Sequence, residues 1–328
     1  MAMDVGEERP LSDATAGLSS EVLAMVFAHL PTKSRVLAAL TCRRWLHLLA
    51  PSFSTVSDLR IVLEESSCTP SFQVDQIGEK LQLCVSVCQC AEHLASQVSL
   101  LRALMIVVGP SLEGIVVDDC LVGPNAFVAD ASVHTILLHC PPTLVRFELH
   151  NVDVSQLHPW TLAQLASMDN LRELVVEQCA QRMADTHPPP LLTDIFLGKL
   201  MSASSHQLSQ VRITDCPLVS DRLLNRLARH CPNLWLVDVS GCKQVTAIGV
   251  VSFCETIEER QADTLVFQAN GAGVVGDHLA RHLQSPYSRM SQESRWFVVS
   301  IDVEIGYPKK AARLHKQACP SKAIIVFA

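Results

Sequence analysis

"LVSDRLLNRLARHCPNLWLVDVSGCKQVTAIGV", residues 218 to 250, decides how the rest of this chain is read. "SDRLLNRLARHC" places its leucines on one face of a helix and its charges on the other. Pro232 follows as the expected stop after a helix end. The next nine residues, "LWLVDVSGC", carry apolar side chains at their first, fourth and sixth places, with Cys242 at the ninth. One helix and one short strand cannot close a core alone, so the stretch calls for a search for copies.

Four further segments fall on the same frame: "LEGIVVDDC" (112 to 120), "LVRFELHNV" (144 to 152), "LRELVVEQC" (171 to 179) and "LSQVRITDC" (208 to 216). Cys120, Cys179 and Cys216 hold the ninth place, and Val152 takes it once. Weaker copies start near 262, 294 and 322, so the starts are 32, 27, 37, 26, 28, 32 and 28 residues apart. Between them lie amphipathic segments such as "TDIFLGKLMSAS" (193 to 204), and "HCPP", "HCPN" and "ACPS" close three of the gaps. This frame resembles the cysteine-containing leucine-rich repeats. The resemblance implies an α/β solenoid with parallel strands on the concave side and helices on the convex side. A small side chain at the ninth place suits the inward turn after each strand, and Asn270 serves the same turn by hydrogen bonding.

Ahead of the repeats stands "GLSSEVLAMVFAHLPTKSRVLAALTCRRWLHLLAPSF", residues 17 to 53. Val22, Leu23, Val26, Phe27 and Leu30 line one face of a helix. Ser19 or Ser20 caps it, Glu21 sits in its first turn, and Pro31 ends it. Val36, Leu37 and Leu40 make a second apolar set, and Cys42, Trp45, Leu48 and Leu49 a third. So few residues bury too little surface to stand alone, and the helices need something to lean on. Leu18, Glu21, Val22, Leu23, Val26, Phe27 and Leu30, with Cys42, Arg43 and Trp45 in "TCRRWLHL", resemble an F-box. Ser19 stands where that pattern has proline; both residues start a helix.

Together these parts resemble the F-box and leucine-rich-repeat substrate receptors of SCF-type ubiquitin ligases. The resemblance implies a non-catalytic subunit that docks on a Skp-type adaptor, and through it on a cullin and a RING protein, while the repeats hold an unknown protein substrate. Domain limits follow: a disordered stretch at 1–16, the F-box at 17–53, a linker with the opening elements at 54–111, and repeats over 112–328. The expected adaptor-facing or core residues are Leu18, Val22, Leu23, Val26, Phe27, Leu30, Cys42 and Trp45. In each repeat the residues between the inward ones face the concave side, which nominates Arg146, Glu148, Glu173, Glu177, Arg212, Trp235, Leu236 and Asp238 for the substrate. Trp235 is an anchor or a packing residue on equal terms. The alternative is a repeat scaffold whose F-box is only a structural cap.

The chain has 328 residues, 48% hydrophobic and 18% charged, enough to bury a large core. A net charge of −7 argues against binding nucleic acid through phosphates. The acidic start "MAMDVGEERPLSD" lacks the basic region of a signal peptide, and runs such as "LLRALMIVV" are short for a bilayer, so no membrane association is expected. Thirteen cysteines without an export signal point to reduced thiols in the cytoplasm or nucleus.

Residues 56 to 100 fit the frame least. "LRIVL" reads as an opening strand, whereas "GEKLQLCVSVCQCAEHLASQVSLLRALMIVVGP" (78 to 110) reads as helix. Cys84, Cys88, Cys90 and His93 crowd there, but a helix puts Cys90 off the face shared by Cys84 and Cys88, so no metal or other cofactor is expected. His278 and His282 have the i, i+4 spacing without further ligands, and Lys309, Lys310, Arg313 and Lys316 read as a solvated face. "THPPPLLTD" (186 to 194) is a loop-like insertion. No nucleophile motif, phosphate loop or persuasive pair of carboxylates points to catalysis.

Overall fold

Ser19 starts the first helix, its hydroxyl accepting a hydrogen bond from the Val22 amide at 3.3 Å, with Glu21 in the first turn. The computed structural model describes residues 17–39, 41–64, 68–77, 80–88, 90–119, 126–152, 157–166, 168–177, 207–216, 219–259, 264–269, 296–300 and 323–326. The N-terminal stretch 1–16, Cys120, Cys179, the segments 186–194 and 193–204, Asn270, His278, His282 and the basic run at 309–316 lie outside them.

Helices α1 (Ser20–Ala28), α2 (Thr32–Ala39) and α3 (Arg43–Leu49) run into a 3-10 turn at Ala50–Phe53. Phe27 meets Trp45 edge to face, ring centroids 5.0 Å apart. The Arg44 guanidinium donates to the Leu18 carbonyl and ties α3 to the entry of α1. The three helices do not enclose a core of their own. Leu23, Phe27, Val36, Leu49 and Phe53 belong to one cluster that continues into Leu59, Leu83, Leu101 and onward through the sheet, which is the support so short a bundle needs.

The sheet comprises β1 (Val56–Glu64), β2 (Ser71–Ile77), β3 (Lys80–Cys88), β4 (Gly114–Asp119), β5 (Arg146–His150), β6 (Glu173–Glu177), β7 (Gln210–Thr214), β8 (Leu236–Asp238), β9 (Thr264–Gln268), β10 (Trp296–Ser300) and β11 (Ala323–Val326). Their order is β11-β10-β9-β8-β7-β6-β5-β4-β1-β3-β2. Among these strands every pairing is parallel except the β2–β3 hairpin. Helices α4 (Leu94–Val108), α5 (Ala126–Leu138), α6 (Pro159–Ala166), α7 (Asp221–His230) and α8 (Ala247–Glu259) connect the strands; α4 packs on α5, α5 on α6 and α7 on α8. The first, fourth and sixth residues of the sequence frame, such as Leu144, Phe147 and Leu149 or Leu234, Val237 and Val239, are buried in this mixed α/β body. Their cluster includes Val133, Ile136, Leu223 and Leu227 from the helices.

After the strands the chain turns inward through a left-handed residue: Asn151 and Asp215 have φ of 58°, and Gly241 has 74°. The next residue then enters the core as Val152, Cys216 or Cys242. The Cys242 thiol donates to the Ile213 carbonyl at 3.1 Å, tying its turn to the preceding strand. A Cβ on Gly241 would stand 2.0 Å from Oδ1 of Asp215, so both its backbone angle and its neighbour require glycine.

Residues 78–110 depart from the helical expectation. Lys80–Cys88 is strand β3, whose Leu83, Val85 and Val87 alternate inward, and only after a 3-10 turn at Ala91–His93 does α4 begin. The alternation was a period of two hidden in a long apolar run. The continuous helical run Ala91–Ser111 is long and apolar enough to cross a membrane by length and composition. Its Leu101, Leu104, Met105 and Val108 are nevertheless buried in the common core.

Candidate functional site

The residues expected on the adaptor side divide sharply by burial. Leu23 and Phe27 are only 2% and 4% exposed and serve the core, with Leu30 and Trp45 packed against it. Cys42 is half-buried at the start of α3. Leu18, Val22 and Val26 are 45%, 38% and 51% exposed, and Met25 between them is 61% exposed. Val22, Met25 and Val26 follow helical spacing and form one outward apolar stripe on α1. Leu37 on α2 is exposed as well. Sequence periodicity nominated Leu23 and Phe27 alongside Val22 and Val26 because both faces of this short helix are apolar. Met25 was missed for the same reason, and Leu37 was read only as a member of the second apolar set.

The second surface is the open face of the sheet, the side away from the helices. The parallel register sets Asp58, Gly114, Arg146, Glu173, Gln210, Leu236 and Val266 in one row across it. Arg60, Val116, Glu148, Val175, Arg212, Asp238 and Gln268 form the next row. A cavity of about 660 Å³ lies over the first of these strands, lined by Asp58, Arg60, Lys80, Glu113, Asp118, Arg146, Glu148, His150 and Glu173 among others.

A chain of polar contacts and two further ion pairs floor that cavity. Arg146 reaches over Gly114 to Asp58 at 2.5 Å and also meets Glu148 at 3.4 Å. A Cβ on Gly114 would lie 2.3 Å from Oδ1 of Asp58 and 2.8 Å from the Arg146 guanidinium, so the absent side chain is the passage for this ion pair. Arg60 meets Asp118 at 2.6 Å, and Lys80 meets Glu113 at 2.5 Å. His150 stands between two carboxylates, 2.8 Å from Glu148 and 3.1 Å from Glu177. The hydrogen bond with Glu148 raises the His150 pKa, with burial opposing and Glu177 adding to it. The same bond lowers the Glu148 pKa against its burial, and Arg146 helps.

Of the substrate-facing residues nominated from the sequence, Arg146, Glu148 and Glu173 line this cavity and Glu177 joins through His150. Arg212 is exposed on the neighbouring strand. Leu236 is buried, and Asp238 turns its carboxylate to the Ser240 amide and hydroxyl at 3.0 and 2.6 Å. Trp235 is 42% exposed, away from the cavity. Asp58, Arg60, Lys80 and Glu113 were missed. They come from strands or turns outside the nine-residue frame or from its first-to-second step, and only the alternation in "VSDLRIVLE" signalled that Asp58 and Arg60 share a face. The thiols of Cys140 and Cys242 are both pushed up to about 12, chiefly by burial, which leaves them without nucleophilic character near neutral pH.

The F-box domain family matches residues 16–50, the three-helix segment that carries the outward apolar stripe. Over 178 residues, 53% of this chain and 54% of the other, the sequence is 26% identical to F-box protein SKIP28 of Arabidopsis thaliana. The chain thus spans about half the length of that curated relative.

Proposed function

We propose that this chain is the substrate-recognition subunit of an SCF-type E3 ubiquitin ligase. In this reading residues 17–53 dock on a Skp-type adaptor, and the adaptor joins a cullin and a RING protein. The strands from 112 onward form a cysteine-type leucine-rich-repeat solenoid whose open face holds a protein to be ubiquitinated. The observation that carries the reading is the segregation of α1. One face is consumed by the core, while Leu18, Val22, Met25 and Val26 stand outward in the segment that matches the F-box domain. F-box domains bind Skp-type adaptors in SCF complexes, and an apolar stripe on a short helix is the kind of surface such a contact removes from water.

The open face suits a basic segment of the substrate. Around its cavity five carboxylates, Asp58, Glu113, Asp118, Glu148 and Glu173, face three cations, Arg60, Lys80 and Arg146, together with His150. Surplus negative potential in a concave site favours Lys- and Arg-bearing partners and disfavours acidic ones. The chain itself acts as a non-catalytic adaptor in the cytoplasm or nucleus.

The test is substrate trapping in cells. The full chain with Val22, Met25 and Val26 changed to Gln keeps the open face but loses the adaptor, so its bound proteins escape ubiquitination and accumulate on it. Adding Glu148→Lys and Glu173→Lys should release those proteins. Capture that depends on neither face would refute the reading.

A further inference from the structure

The β2–β3 hairpin does more than extend the sheet. Its antiparallel register sets Ser71 opposite Ser86, so the residues preceding β2 arrive beside the end of β3. Cys68, three residues before β2, is thereby brought to Cys88 at the end of β3, to Cys90 just beyond it, and to His93 at the start of α4. One ligand atom from each of these four residues lies within 4.8 Å of all the others. The Sγ atoms of Cys68 and Cys90 are 3.7 Å apart, in hydrogen-bond contact and without a disulfide between them. Two thiolates each about 2.3 Å from one zinc ion, at a tetrahedral angle, stand about 3.8 Å apart.

Two buried groups point to a ligand at this place. Nδ1 of His93 is buried and, among the described residues, has no hydrogen-bond partner. Gln97, one turn into α4 and only 3% exposed, donates its side-chain amide to the Cys88 sulfur at 2.7 Å. That is the outer-shell contact that orients a ligating thiolate and spreads its charge. The N-terminus of the 15-residue helix α4, at which His93 is the cap, adds partial positive charge beside the sulfurs, which favours their ionised, ligating form.

We propose that Cys68, Cys88, Cys90 and His93 bind one structural zinc ion. Three thiolates and an imidazole are a soft, tetrahedral donor set that selects zinc over magnesium or calcium. All four positions come from protein, so the site is closed and its role is structural. Binding releases the thiol protons to solvent and involves no redox step. The ion pins β2, which among the described strands pairs with β3 alone, to the start of α4. Because α2 packs against β2 and α4, the site also braces the ledge on which the N-terminal helices rest. Cys84 lies four residues back along β3 and is not a member of the cluster. The inference rests on this geometry and is independent of the ligase reading.

The test uses the full chain purified under reducing, chelator-free conditions. Elemental analysis should find about one zinc per chain, the loading expected of one closed four-ligand site. Cys68→Ser and Cys90→Ser should lose it while remaining folded by circular dichroism, and Cys84→Ser should keep it. Exchange of cobalt into the wild-type chain should give the intense visible bands of a tetrahedral ion and near-ultraviolet thiolate charge transfer, a readout that needs no variant. A wild-type chain without zinc or cobalt bands would overturn the proposal. So would zinc retained in full by Cys68→Ser, or a Cys68–Cys90 disulfide recovered by peptide mapping.

Discussion

Replacing Val22, Met25 and Val26 together by Gln separates the two jobs of α1. These side chains are 38%, 61% and 51% exposed, together about one and a half apolar side chains' worth of surface available to a partner. At about 1.5–3 kcal/mol per fully buried side chain, covering that surface contributes roughly 2–4 kcal/mol to binding. Its loss should raise the Kd for the Skp-type adaptor by about thirty-fold to a thousand-fold. Glutamine is a good helix former, so each exposed change should alter folding stability by no more than about 0.5 kcal/mol. Phe27→Ala is the opposite case. Phe27 is 4% exposed and packed edge to face with Trp45, and its truncation should cost about 3–5 kcal/mol of stability. Titration calorimetry with purified adaptor, beside thermal denaturation of each full-length variant, reads both quantities. Binding by the triple variant within three-fold of wild type would refute the assignment of the stripe, as would a melting temperature lowered as far as that of Phe27→Ala.

Three other outcomes follow from the sheet. Gly114→Val should break the Asp58–Arg146 pair and force the strands apart locally, costing about 1–3 kcal/mol in chemical denaturation, whereas an unchanged midpoint would mean the passage over Gly114 is not needed. Gly241→Ala should cost about 1–2 kcal/mol, since it meets both a φ of 74° and the Asp215 carboxylate, and a denaturation curve coincident with wild type would dismiss that strain. The His150–Glu148 pair should shape stability against pH. His150 has a raised folded pKa, so its contribution is complete below its ordinary value of 6.5 and fades as pH climbs through the raised one; Glu148, with a lowered pKa, contributes fully above 4.5 and fades as pH falls through its folded value. Both are complete between 4.5 and 6.5, and His150→Gln should flatten the decline in melting temperature on the alkaline side; an unaltered profile would show that the pair is uncoupled from folding.

Much of the fold was legible because parallel strands buried on one face repeat a rigid pattern. Leu144, Phe147 and Leu149 announce a strand by spacing alone, and the copies at 171, 208 and 234 reinforce it. The helices at 17–53 were legible from Ser19, Pro31 and the apolar periodicity. What escaped was whatever depends on pairing across the sheet. β3 was hidden because the alternation of Leu83, Val85 and Val87 is embedded in an apolar run that continues into α4. With β3 read as helix there was no hairpin, so nothing placed Cys68 near Cys90, 22 residues later. The cavity was half legible: Arg146, Glu148 and Glu173 follow from the repeat frame, whereas Asp58, Arg60 and Lys80 lie on strands that the frame does not reach. Burial settled the division of α1, whose two apolar faces look alike in sequence.

The most direct measurement of the central claim is reconstitution of the full chain with purified Skp-type adaptor, cullin and RING protein, followed by size-exclusion chromatography with light scattering. The account predicts one complex holding a single copy of each, with the adaptor required for the cullin to join and the Val22, Met25, Val26 triple variant eluting alone. A folded wild-type chain that elutes alone in the presence of the adaptor would contradict it and leave α1 as a cap on the sheet.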